Sequence, residues 1–157
     1  MYQSYDVMDQ NPAWPAPVFA VEPRLETHVA GAAPVRLLPA TVTGMWSLRF
    51  GRFGCPDSET RGGVVFLQRD ALMGGDNNFA YRGEWMLDGT ELTASLDVVR
   101  HGGNDLPTIF GTVEAIYQLD CVAEAITADL FEGRLRRPGH PDARFVMRRV
   151  RGGNGGN

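Results

Sequence analysis

Between residues 62 and 111, apolar and polar residues alternate in short runs punctuated by glycine. Gly63-Val64-Val65-Phe66-Leu67 leads to Gly74-Gly75-Asp76, then to Phe79-Ala80-Tyr81-Arg82-Gly83-Glu84-Trp85. An Asp88-Gly89 turn follows, and then Leu92-Thr93-Ala94-Ser95-Leu96-Asp97-Val98. A period of two sends one face of each strand to a core and the other to water. Asp-Gly supplies the positive-φ positions of a tight hairpin between twisted strands, where most other pairs are strained. The segment predicts an up-and-down antiparallel meander, with Gly74-Gly75-Asp76 as one of its hairpin turns.

The same reading along the chain gives about seven strands. The first runs from Gly44 to Phe53, with Trp46, Leu48 and Phe50 on one face and Ser47, Arg49 and Gly51 on the other. The second, third and fourth lie near 63–68, 78–86 and 91–100, and a longer loop runs from His101 to Pro107. The fifth, Phe110 to Leu119, sets Val113, Ala115, Tyr117 and Leu119 in register. Asp120-Cys121 turns into a sixth, Val122 to Phe131, whose stripe is Ile126, Ala128 and Leu130. An arginine- and proline-rich loop from Gly133 to His140 precedes the seventh, Arg144 to Val150. Alanine and glutamate in 113–116 and 122–126 favour helix, but Thr112, Tyr117, Thr127 and the ten-residue spacing favour strands. Repeated strands without crossover helices form a sandwich or a closed barrel, and consecutive hairpins favour the barrel. The predicted fold is all-β, an antiparallel meander closing into a β-barrel of about seven to eight strands.

Composition adds the boundaries. The chain has 157 residues, with 43% hydrophobic and 22% charged, as a soluble globular domain has. Residues 1–40 contain Pro12, Pro15, Pro17, Pro23 and Pro34 without sustained periodicity, and predict a flexible arm that Trp14, Phe19, Leu37 and Leu38 could tack onto the domain. The barrel domain is expected over 41–151, and the Gly/Asn run 152–157 predicts a disordered tail. All fifteen basic residues are arginine, which compositional bias explains. Seven of them fall between Arg134 and Arg151 against the single acid Asp142, so a segment of +6 sits in a chain of −4 and the remainder carries −10. Such a segment could grip phosphate, or it could protect a final edge strand from aggregation. Without a recognition helix or stacking platform, edge protection is the better reading, and no direct nucleic-acid contact is expected. Met1 to Ala20 has no basic segment followed by an apolar run, and no stretch approaches a membrane span, so a cytoplasmic location is expected.

The chemistry-bearing residues are sparse. Cys55 and Cys121 stand alone, with no metal-ligand spacing. Asp97 and His101 are four apart on one strand and its exit, too distant for a direct pair at about 3.3 Å per residue. His28 and His140 lie in proline-flanked loops, and no nucleophile elbow, zinc-binding helix motif or phosphate loop occurs. The chain reads as a non-enzyme without metal or cofactor. Its apolar positions Trp46, Leu48, Phe50, Phe66, Tyr81, Trp85, Leu92, Leu96 and Tyr117 define the predicted interior. They line a pocket for a small apolar ligand, or they fill the barrel, which side chains of an eight-stranded barrel can just do.

The stretch Gly63-Val64-Val65-Phe66-Leu67, Gly74-Gly75-Asp76, Tyr81-Arg82-Gly83, Asp88-Gly89, Leu92, Val98-Val99-Arg100-His101 and Phe110-Gly111 resembles the GrlR-like family. The similarity spans roughly residues 42 to 150, and its most specific piece is the Gly-Gly-Asp hairpin followed by Tyr-x-Gly. The resemblance implies a lipocalin-like barrel with an apolar interior, often dimeric. It also implies a negative regulator that binds a helix-turn-helix transcriptional activator and keeps it off DNA. The family's founding member uses a run of alternating acids on a surface turn; in the matching turn here, 87–91, Asp88 and Glu91 keep the charge. Glu84, Asp88, Glu91 and Asp97 are accordingly the expected partner-binding residues. The alternative expectation is an intracellular carrier or sensor of a small apolar molecule.

Overall fold

The computed structural model describes residues 36–103 and 105–151, and the expectations for Trp14, Phe19 and the tail 152–157 lie outside them. The eight strands are β1 (Gly44–Arg52), β2 (Arg61–Gln68), β3 (Ala71–Gly75), β4 (Phe79–Asp88), β5 (Glu91–Arg100), β6 (Ile116–Thr127), β7 (Leu130–Arg136) and β8 (Ala143–Arg149). Each pairs antiparallel with its sequence neighbours, and β1 pairs with β8 to close the barrel. A short helix, α1 (Pro39–Val42), buries Val42 completely, and Leu37 packs against the core. Leu37 and α1 thus pack with the barrel ahead of residue 41.

Closure removes the edge that the arginine-rich segment was expected to protect. β8 is flanked on both sides, by β1 and β7. Its arginines are placed individually instead. Arg144 forms an ion pair with Glu132 at 3.0 Å, both buried, and Arg149 lies 4.5 Å over the Trp46 ring.

Three predicted boundaries are corrected. Gly74 and Gly75 belong to a strand, β3, and the turn that follows is Asp76-Asn77-Asn78. Asp120-Cys121 is no turn, because β6 runs unbroken through it with Asp120 outward and Cys121 inward. The loop expected from Gly133 is strand until Arg136. At the two boundaries marked by glycine, the reason is the same. In a tightly coiled small barrel, an inward glycine lets the next strand approach where a side chain would collide. A Cβ on Gly83 would sit 1.9 Å from the Ser95 carbonyl oxygen, and one on Gly133 would sit 2.0 Å from that of Val122.

The β4–β5 hairpin does occur where expected, one residue later than the Asp-Gly reading. Asp88 pairs with Glu91, so Gly89 and Thr90 form the turn, and Gly89 alone takes a positive φ, 63°.

The two ends of the barrel differ. At one end lie α1, this hairpin and the tight connections at 69–70 and 128–129. The core there is closed by Trp46, whose Nε1–H donates to the Val42 carbonyl at 2.9 Å and whose ring meets Phe131 edge-on at 5.4 Å. Arg149 seals this end, donating to the carbonyls of Thr41, Thr43 and Ala128 and, at 2.8 Å, to the carboxylate of Asp129. The longer loops 53–60, 76–78, 101–115 and 137–142 gather at the other end.

Candidate functional site

Beneath the loop end lies a cavity of about 60 Å³ with almost wholly apolar walls. Of the nine predicted interior residues, Leu48, Phe50, Tyr81, Leu92, Leu96 and Tyr117 line it. Trp46 and Trp85 are buried but stand off its wall. Phe66 is a correction: it points outward, 45% exposed, while Val65 and Leu67 face the cavity. The run Val64 to Leu67 is apolar at every position, so its sequence carries no parity.

Polar groups collect at the loop end of this cavity. The Tyr81 hydroxyl donates to Asp76, and the other carboxylate oxygen of Asp76 accepts the backbone N–H groups of Asn78 and Phe79, each at 2.8 Å. Gly63 leaves room for this cluster, since a Cβ there would meet the Tyr81 hydroxyl at 3.3 Å. Burial and the Asp76 carboxylate push the Tyr81 pKa up, and burial pushes Tyr117 to about 12. Burial likewise raises the Cys121 thiol, on the cavity wall, to about 12, so it stays protonated and unreactive at neutral pH.

The connection expected to be a loop and the start of a strand is instead a cover. Residues 105–115 fold across the barrel end, burying Thr108 and Ile109. Thr108 organises the turn, with its N–H donating to the Thr112 carbonyl at 2.7 Å and its hydroxyl bonded to that of Thr112 at 2.8 Å. Arg137, from the β7–β8 loop, holds this cover: it donates to Thr112 at 2.8 Å and to Glu114, and stacks 4.3 Å over Tyr117. The Arg137 hydrogen bond pulls the Glu114 carboxyl down to about 2.

The outer surface carries a different chemistry. Met45, Phe66 and Met73 face one another across β1, β2 and β3 and are 43%, 45% and 64% exposed. The neighbouring row runs Val64, Gly75, Ala80, Val99 and Ile116 from β2 to β6. The four expected acids all lie on the outside of β4 and β5, but they do not form one patch. Asp97 sits opposite Arg82 and accepts a hydrogen bond from Gln118 at 3.0 Å. Glu84 shares a cross-strand row with Ser95 and Asp120. Asp88 and Glu91 form a third group with Glu124, which pairs directly with Glu91 and accepts from Thr90 at 2.9 Å. Glu124 and Asp120 were missed because β6 had been broken between them; one unbroken strand places both on the outer face.

Among the described residues, no three of His, Cys, Asp or Glu come together to hold a metal ion, and no helix is long and apolar enough to cross a membrane. His101 lies 3.0 Å from the Asp76 carbonyl oxygen through its Nε2, away from Asp97 on the preceding strand. Comparison with protein-family models and with curated proteins finds no match to this chain. The similarity to the GrlR-like family thus rests on the residues quoted for it.

Proposed function

We propose that this chain is a non-enzymatic regulatory protein that captures a basic DNA-binding transcriptional regulator on the outer face of its barrel. The carrying observation is the pair of adjacent apolar rows, Met45-Phe66-Met73 and Val64-Ala80-Val99-Ile116, on strands that continue into the acidic rows of β4 to β6. Exposed apolar side chains contiguous over several strands mark a protein contact, whereas scattered ones need no explanation. A partner with an apolar face and a basic flank fits this surface, and the resemblance suggests a transcriptional activator as that partner. Complementary charge then speeds the encounter and is screened over about 10 Å at 0.1 M salt.

Affinity capture from the native host tests the reading. Phe66→Asp is expected to weaken capture at least about tenfold, the scale of an interface anchor. Reversing Asp88 and Glu91 to arginine is expected to slow association at low salt and to have little effect at high salt. Unchanged capture by Phe66→Asp overturns the proposal. So does a doubled mass that Phe66→Asp halves, because the rows would then serve a second copy of the chain.

The interior cavity supports a second reading, carriage or sensing of a small apolar molecule, since it is apolar, covered by a loop and polar only at that end.

A further inference from the structure

We infer that the barrel holds a small apolar carboxylic acid, with its acid group on Arg61 and its tail in the cavity, and that Ile109 is the gate it passes. The inference rests on the second reading above and gives it a ligand class and an entry route.

Size comes first. Apolar cavities of about 150 Å³ take up a benzene ring, so the 60 Å³ present here is too small for one while the cover is shut. Ile109 lines this cavity and also two neighbouring surface clefts, of about 400 and 440 Å³, which share Arg52, Cys55 and Glu59 with each other. It is therefore the residue common to the interior and both clefts, and Arg61 shares with it the boundary to the 400 Å³ cleft. Withdrawing it joins the cavity to a cleft, and the combined space falls within the 300–1,000 Å³ or so of ordinary ligand sites.

The cover folds back on itself before it joins the sheet. Thr108 N–H donates to the Thr112 carbonyl and Gly111 N–H to the Thr108 carbonyl, and Ala115 bonds to the barrel, accepting from Arg100 N–H at 2.7 Å. Side-chain contact also secures it: the buried Ile109 and Thr108, Arg137 on Thr112 and Glu114, and Phe110 edge-on to Tyr117 at 6.0 Å and against His140. Segments held this way open without disturbing the sheet.

The head group follows from the hydrogen-bond capacity left at the junction. Both Asp76 oxygens are occupied, by Tyr81 and by two backbone N–H groups. Arg61 lines both the cavity and the 400 Å³ cleft, and among the described residues no carboxylate lies within ion-pair distance of it. The Tyr117 hydroxyl, facing the cavity from β6 on the opposite wall, also has no acceptor among them. The spare groups are donors, so the matching ligand brings acceptors. A carboxylate suits a guanidinium best, because it takes two parallel charged hydrogen bonds.

The test compares sodium octanoate with 1-octanol, which share a tail and differ in the head, by calorimetry on the full chain. Octanoate is expected to bind about tenfold or more tighter, the equivalent of one charge-assisted hydrogen bond. It should also shift the NMR methyl signals of Leu96 and Val98 on the cavity wall. Arg61→Gln should remove the preference while leaving octanol affinity and melting temperature unchanged. Ile109→Ala should speed octanoate association about tenfold. Equal binding of the two probes, or a preference that survives in Arg61→Gln, overturns the ligand class and leaves the carrier reading standing. Binding without shifts at Leu96 and Val98, or unaltered association in Ile109→Ala, overturns the site and its gate. If neither probe binds the native chain or Ile109→Ala, the carrier reading falls together with this one.

Discussion

The two ends of the barrel solve the same closure problem by different means. The end at α1 is sealed by buried side chains and by main-chain partners: Trp46 on Val42, Phe131 and Arg149, and Arg149 on three carbonyls and Asp129. The loop end is sealed by a cover held by the side chains of Ile109 and Phe110 and by the Arg137 contacts. Removing a sealing group at the first end leaves a hole in a packed core with its polar partners exposed. Removing one at the second end releases a loop. The tight connections coincide with the end closed by core side chains, and the long ones with the end closed by a loop.

The largest effect expected from this contrast is Trp46→Ala. It should cost about 3–5 kcal/mol, the range for a large aromatic deleted from a packed core. Ile109→Ala should cost far less in the same chemical-denaturation experiment, because a loose cover relaxes into the space. Comparable losses would mean that both ends are core. A smaller effect belongs to Gly89→Val in the β4–β5 turn. Space is no obstacle there, since nothing lies within 4 Å of an added Cβ, but φ is +63° and a β-branched residue resists it. The expected loss is about 1 kcal/mol or more; an unchanged melting temperature would show that the turn tolerates a different backbone.

The smallest effect is a change of cover with pH. Hydrogen bonding to Arg137 lowers the Glu114 carboxyl from its usual 4.5 to about 2. A carboxylate depressed in the folded state contributes fully above its unfolded value and is lost as the pH falls through its folded value. Uptake of 1-octanol, which carries no titrating group, should therefore be constant down to about pH 4.5 and accelerate toward pH 2. Glu114 is exposed, so the change should be modest, and Glu114→Gln should flatten it.

Much of the sheet could be read from local pattern, and the failures share a cause. β5 was recovered from Glu91 to Arg100 because its apolar and polar residues alternate cleanly. β3 was lost because Gly74 and Gly75 signal a turn locally, whereas in the barrel they accommodate close neighbouring strands: a Cβ on Gly74 would meet the Val64 carbonyl oxygen at 2.1 Å. The inward direction of Phe66 was wrong because its outward face is also apolar, and that outward face is now the proposed contact surface. The polar end of the cavity was invisible for a different reason. Arg137 and Thr112 are 25 residues apart, and Arg61 meets Ile109 only after the sheet has closed. Spacing along the chain carries no information about such pairs.

The join between β1 and β8 also sets the order of events during folding. Trp46 aligns with Arg149 and Phe50 with Phe145, partners about a hundred positions apart, while every other strand pair joins consecutive strands. Six or seven strands can zip hairpin by hairpin, but the first must wait, unpaired on one side, until the last arrives. Long loop closure of this kind is slow. Until residues 143–149 arrive, one margin of residues 44–52 has no strand to pair with, and only that pairing turns the sheet into a barrel.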